Sequence, residues 1–167
     1  MNNTEHSERA AKRREYILSP VDGEVISESK ITDMLFGKKV FGEYVSIHPK
    51  SSKVLSPVNG IVDKIEKDGH SILIISHLGT KICLYVGEDI NLLEGNCTKI
   101  FVSEGDRVRE GEVLLICDFD EMERLGYETK VITAVINQEN IMDIITLSQE
   151  KIKGKDKAFA IIFYRSL

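Results

Sequence analysis

From Ile17 onward the chain breaks into short runs in which apolar, often β-branched residues alternate with polar ones, each closed by Gly, Pro, Asn or Asp. A period of two over such lengths predicts strands. They fall at Gly23 to Ser27, Tyr44 to Pro49, Gly60 to Ile65, Ser71 to Ser76, Lys81 to Val86, Val113 to Cys117, Thr129 to Ile136 and Ala158 to Tyr164. Many short strands at close spacing predict an all-β protein, an antiparallel β-sandwich or barrel-like fold. Helical spacing is confined to Ile31 to Phe36, Phe119 to Leu125, and Asn140 to Leu147 behind a cap at Asn137, so a few short helices are accessories. Residues 1–16 are polar and charged and read as a flexible leader, with Lys12-Arg13-Arg14 as a solvated patch, before a single domain over 17–167.

The pattern contains an internal echo. Ser19-Pro20-Val21-Asp22-Gly23-Glu24-Val25 recurs as Ser56-Pro57-Val58-Asn59-Gly60-Ile61-Val62. Pro presets φ, Asp or Asn before Gly supplies turn geometry, and the closing Val starts a strand. Glu104-Gly105-Asp106-Arg107-Val108-Arg109-Glu110-Gly111 adds a related pair of turns. A duplicated hairpin unit follows.

Composition narrows the function classes. At 167 residues, 42% hydrophobic and 29% charged, the chain can bury a core. It has no apolar run long enough to span a membrane, so direct insertion is not expected. Lys and Arg number 22 against 27 Asp and Glu, a net charge of -5, which argues against nucleic acid as a partner. Cys83, Cys97 and Cys117 form no CxxC pair and read as small core residues of a cytoplasmic protein, and the amino terminus lacks the apolar stretch of a secretory signal.

Several ordered stretches, Ser19 to Val25, Ile31 to Gly42, Ser56 to His70, Leu78 to Gly95 and the run EGDRVREGEVLLICDFDEMERLGYE, resemble the glucose-family enzyme IIA domain of the bacterial sugar phosphotransferase system. The resemblance implies an antiparallel β-sandwich, a duplicated hybrid motif, with a shallow apolar active face. It also implies a place in the relay of a phosphoryl group from the phosphocarrier HPr to a sugar permease. In that family two histidines face one another, one accepting the phosphoryl group and one positioning it. Imidazole suits the task, because a pKa of ~6.5 leaves a neutral nucleophilic nitrogen while the other nitrogen is anchored by a hydrogen bond.

The first of these histidines corresponds to His70, whereas the acceptor position holds Tyr85, within Tyr85-Val86-Gly87-Glu88-Asp89-Ile90-Asn91. Ile90 stands where the family has Thr. Asp68 stands two residues before His70, where the family has Thr, and a carboxylate there repels a phosphoryl group. A phenol of pKa ~10 is ionised in only about one part in a thousand at pH 7. Asp33 and Phe36 match the family's acidic and aromatic rim of the docking face, with Met34, Leu35 and Val40 beside them, and Asp89 matches an acidic residue next to the active site.

The expectation is therefore an enzyme IIA-like protein that binds HPr, a sugar permease or other regulatory protein targets without completing the relay. A working carrier that uses His70, with Tyr85 as a hydrogen-bond donor, is the alternative, and a small-ligand module is a third. No cofactor is expected. His48, His70 and His77 lack the H-x-x-x-D and H-x-H pairs of the similar zinc peptidases, the Met-Lys of biotinyl and lipoyl carriers is missing, and no nucleotide-binding motif occurs. Charges at Lys38, Lys39, Lys151 and Lys153 would protect sheet edges, which favours a monomer.

Overall fold

Runs that are apolar on both faces become central strands, and runs with one polar face lie outside them. The structure is a computed structural model that describes residues 13–26, 43–66, 70–87, 97–136, 138–147 and 149–164. Its strands are β1 (Arg14–Leu18), β2 (Gly23–Ile26), β3 (Glu43–Pro49), β4 (Lys53–Leu55), β5 (Gly60–Glu66), β6 (Ser71–Ser76), β7 (Lys81–Val86), β8 (Thr98–Ile100), β9 (Arg107–Val108), β10 (Val113–Cys117), β11 (Val131–Val135), β12 (Ile141–Thr146), β13 (Lys151–Ile152) and β14 (Lys157–Phe163). Among the described residues there is one helix, α1 (Phe119–Arg124).

An eight-stranded sheet runs β13-β2-β3-β11-β7-β6-β5-β9, and two three-stranded sheets run β1-β14-β12 and β4-β10-β8. All the pairings are antiparallel. β11 is buried at all its positions and joins β3 to β7. Its register sets two faces. Val45, Thr133, Leu84 and Ile72 form a row across β3, β11, β7 and β6 on the inner side, where Ile17, Ile47, Phe159 and Ile161 complete the main core. Tyr44, Ala134, Cys83 and Leu73 form the adjacent row on the outer side.

The repeated S-P-V-[D/N]-G unit has a structural counterpart. In both copies the Ser hydroxyl donates to the carbonyl two residues on, Ser19 to Val21 and Ser56 to Val58, each at 2.8 Å. The copies then bond each other: Leu18 N–H donates to the Pro57 carbonyl and Leu55 N–H to the Pro20 carbonyl. Asp22 accepts from the Gly154 N–H, as Asn59 accepts from the Glu110 N–H. The turn at Lys155, with φ of 73°, occupies the place that Gly111, with φ of 80°, fills in the other half. Two copies of one hairpin unit thus grip each other through backbone bonds.

Two expectations are corrected. The Asn140 to Leu147 segment is strand β12, not a helix, and pairs with β14. Its helix-like spacing arises from the register shift between Ile141 and Asp143, which brings Ile141 and Ile144, three residues apart, both against the core. Its β-branched residues also resist helix formation. The sheet begins earlier than the leader boundary: Arg14, Glu15 and Tyr16 pair with Ile162, Ile161 and Ala160. The expected helix at Ile31 to Phe36 and the leader over 1–12 lie outside the described residues. The helix expected from Phe119 is present, capped by the Asp118 carboxylate accepting from Glu121 N–H, with Phe119 and Met122 buried. Cys83 and Cys117 are buried free thiols, and burial pushes Cys117 up to about 11.

Candidate functional site

The outer face of β3, β11, β7 and β6 is a small apolar platform. Tyr44, Cys83, Ile132 and Ala134 are buried there, and Leu73 and Tyr85 pack against them. Strand alternation puts them on one side, because each is two residues from the next along its strand or directly opposite across the ladder. Ser46, Ile132, Tyr85 and Ser71 form the second row of this face.

His70 sits in the turn that opens β6, beside the end of β7. Its Nδ1 lies 2.9 Å from the Val86 carbonyl, and its own carbonyl accepts from Val86 N–H at 2.8 Å. A carbonyl can only accept, so Nδ1 carries the proton in the neutral ring, and the lone pair is on Nε2. One residue of β7 therefore fixes both the position and the tautomer of His70. Tyr85 is next to it, with ring centroids 6.2 Å apart and planes at 82°, an edge-to-face contact.

The phenol of Tyr85 is held in its neutral form. Burial, and then its interaction with the Cys83 thiol, pushes its pKa up to about 12. Cys83 and Ser71 are its hydrogen-bonding neighbours on the platform. As an acceptor of a phosphoryl group, a phenol at about 12 is a weaker nucleophile at neutral pH than the free side chain. As an amphipathic side chain on a semi-apolar face it is well suited to contact.

Sequence reasoning brought His70 and Tyr85 to one site, and the structure places them together. Asp33, Phe36, Asp68 and Asp89, with Met34, Leu35, Val40 and Ile90, lie outside the described residues. A second feature escaped it. Beyond Ser46 on the same face of β3, His48 Nε2 donates to Glu123 Oε1 of α1 at 2.7 Å, and Thr129 Oγ1 donates to the same oxygen at 2.7 Å. They line a cleft of about 710 Å³ together with Glu24, Glu128 and the buried Lys130. Lys130 had a legible signal, a charge in phase with Ile132 and Ala134 on an apolar face. The His48 and Glu123 pair, 75 residues apart, had none. Among the described residues no group of three or more His, Cys, Asp or Glu side chains could hold a metal ion.

The Thr129 bond first, and then the His48 bond, hold the Glu123 carboxyl below its ordinary value of 4.5. A carboxylate with a lowered folded pKa stabilises the fold above its unfolded value and loses that contribution as pH falls through the folded one. An NMR titration should therefore find the Glu123 midpoint below 4.5, with Thr129→Val moving it upward. A midpoint that does not respond to Thr129→Val would contradict the assigned cause.

Comparison with known proteins gives the family and the fold. Residues 15–141 match the family model described as phosphoenolpyruvate-dependent sugar phosphotransferase system, EIIA 1. The chain is 39% identical over 123 residues to the PTS system beta-glucoside-specific EIIBCA component of Bacillus subtilis strain 168, covering 74% of this chain and 20% of that protein. It therefore spans about a fifth of the length of that relative. It is 28% identical over 149 residues to the PTS system glucose-specific EIIA component of Oceanobacillus iheyensis, covering 87% of this chain and 89% of that one. The solved structure of glucose permease IIA from Mycoplasma capricolum superposes with a TM-score of 0.77 at 23% identity, over 89% of this chain and 96% of that one, which shows the shared fold. With the duplicated hairpin unit, the antiparallel sheets and the matched residues all in agreement, this chain belongs to the EIIA 1 family of the phosphoenolpyruvate-dependent sugar phosphotransferase system.

Proposed function

We propose that this chain is an EIIA component that acts by binding protein partners, and that it does not complete the phosphoryl relay because Tyr85 stands at the acceptor position. The observation that carries this reading is the state of Tyr85, a phenol pushed up to about 12 beside Cys83 and Ser71 on an apolar platform. The partners are HPr, a sugar permease or regulatory targets met in the cytoplasm, and the protein works as a monomer. The part-exposed His70, Leu73 and Tyr85 are the contact surface, and the resemblance adds Asp33, Phe36, Asp68 and Asp89 as binding residues.

A second reading has its own support. The Nδ1–H of His70 is anchored on Val86, which leaves Nε2 with the lone pair that a phosphoryl acceptor needs. The two readings part in one experiment. The protein is incubated with phosphoenolpyruvate, enzyme I and HPr, and its intact mass is measured under alkaline conditions that preserve phosphohistidine. The expected result is no adduct, together with HPr binding detected by chemical-shift perturbation and retained in His70→Ala. An adduct that maps to His70 and is lost in His70→Ala overturns the binding-only reading in favour of a single-histidine carrier.

A further inference from the structure

Strand alternation gives the β1-β14-β12 sheet an outer face as well as a core side. Ile17, Phe159, Ile161 and Ile144 turn inward to the main core, and the residues between them turn outward. The register sets these outward residues in two rows. Arg14 is opposite Ile162, which is opposite Asp143, and Tyr16 is opposite Ala160, which is opposite Ile145. Tyr16 and Ile145 are exposed, as are Leu147 and Tyr164 just past the ends of β12 and β14.

This apolar face carries one charge at each edge, and the two are opposite in sign. Arg14 on β1 and Asp143 on β12, both exposed, stand at the two ends of one row. Arg14 Nη1 reaches the Tyr16 hydroxyl at 3.5 Å, and Asp143 accepts from the Ile144 N–H through Oδ1, which leaves Oδ2 to a partner. The neighbouring charges are engaged elsewhere. Glu15 accepts from the Thr80 hydroxyl, and Lys157 Nζ lies 4.0 Å from the centroid of the Tyr16 ring.

We propose that this face docks a second copy of the chain, sheet on sheet, about a two-fold axis parallel to the strands. Such an axis lays β14 of one copy on β14 of the other and β1 of each on β12 of the other. Rows keep their level under this operation, so Arg14 of each copy meets Asp143 of the other and Tyr16 meets Ile145, with Ala160 and Ile162 stacked on themselves across the axis. Opposite charges at the two ends of one row make the face complementary to itself, whereas a partner of uniform charge would meet a like charge at one edge. Edge lysines, the ground for expecting a monomer, guard against edge-to-edge pairing and leave the stacking of faces open. Three strands at a spacing of about 4.8 Å make a face only about 15 Å across, below the roughly 800 Å² per partner of a standard interface, so pairing is weak and half-complete at roughly 100 μM. The monomer is therefore the form that meets partners at lower concentrations. The face lies on a different sheet from Tyr85, and pairing does not depend on whether a phosphoryl group is carried.

The test is sedimentation equilibrium of the full chain from about 1 μM to about 1 mM, with thermal unfolding to show that each variant is folded. The mass should rise from one chain toward two and stop there, as a closed two-fold pair requires. Arg14→Asp alone and Asp143→Arg alone each replace two attractive contacts by two repulsive ones and should weaken pairing about tenfold or more. Mixed together, these two variants should pair with each other, since each then faces the opposite charge at both edges. Ile145→Lys should abolish pairing, and Ile61→Lys, at an exposed apolar side chain of β5 on another sheet, should leave it unchanged. A chain that stays monomeric throughout would give the face to another occupant, a segment of the same chain or a different protein, and overturn the proposal. Growth beyond two chains, failure of the mixed variants to pair, or equal effects of Ile145→Lys and Ile61→Lys would each overturn it as well.

Discussion

On the proposed binding-only reading, replacing Tyr85 by His will confer HPr-dependent phosphorylation at least tenfold above the wild-type background. The magnitude follows from the nucleophile. With the phenol pushed up to about 12, only about one molecule in 100,000 is ionised at pH 7, whereas an imidazole of pKa ~6.5 is mostly neutral and nucleophilic. In the transfer, the P–N bond of phosphorylated HPr breaks as a new P–N bond forms at position 85, and the departing HPr imidazole keeps the bonding electron pair and takes up a proton. His70, whose Nε2 lone pair is set by the Val86 carbonyl, is beside the incoming group at a ring separation of 6.2 Å in the wild-type protein. Intact mass and peptide mapping read the outcome. A phosphoryl group at position 85 supports the view that one substitution withholds the relay. Wild-type labelling at Tyr85 would sink it, and so would an unlabelled but folded and HPr-binding variant, which would shift the cause to Asp68 or Ile90.

Gly60→Ala will destabilise the fold more than any ordinary surface substitution, by about 3 kcal/mol or more, and Gly23→Ala should do the same. At each site an added Cβ would overlap backbone, the Ile75 carbonyl at Gly60 and the His48 carbonyl at Gly23. Neither carbonyl can swing aside, because Ile75 and His48 belong to the strands paired with those glycines in β5 and β2. For a chain of this size the loss corresponds to a fall in melting temperature of roughly 6–12 °C. Gly79→Ala is the comparison. Its Cβ meets nothing within 4 Å, so only its backbone conformation, with φ of 86°, is at stake, and the loss should be nearer 1 kcal/mol. Equal melting temperatures for Gly60→Ala and Gly79→Ala would contradict the close-packed account.

The two kinds of glycine also separate what was legible in the sequence. The S-P-V-[D/N]-G echo was visible because turn chemistry is local: Ser, Pro, Asp or Asn and Gly act on their own backbone and on immediate neighbours. The strands were visible for a similar reason, since burial of one face imposes a period of two. β12 was misread because a register shift against β14 placed Ile141 and Ile144 on one side, and a bulge imitates helical spacing when only one chain segment is in view.

By itself the sequence determined the antiparallel β architecture and the duplicated hairpin unit, and it supplied the resemblance on which the proposed role of Tyr85 rests. Each of these rests on residue type and short spacing. Tertiary structure alone decided the His70 tautomer, through a carbonyl 16 residues away, and the Glu123 array, through a donor 75 residues away. It also decided the raised phenol of Tyr85 and the meeting of Tyr16 with Lys157, 141 positions apart in the numbering. The physical reason is the same in each case: hydrogen bonds, desolvation and ring contacts depend on which strands are neighbours, and strand order is a property of the folded sheet.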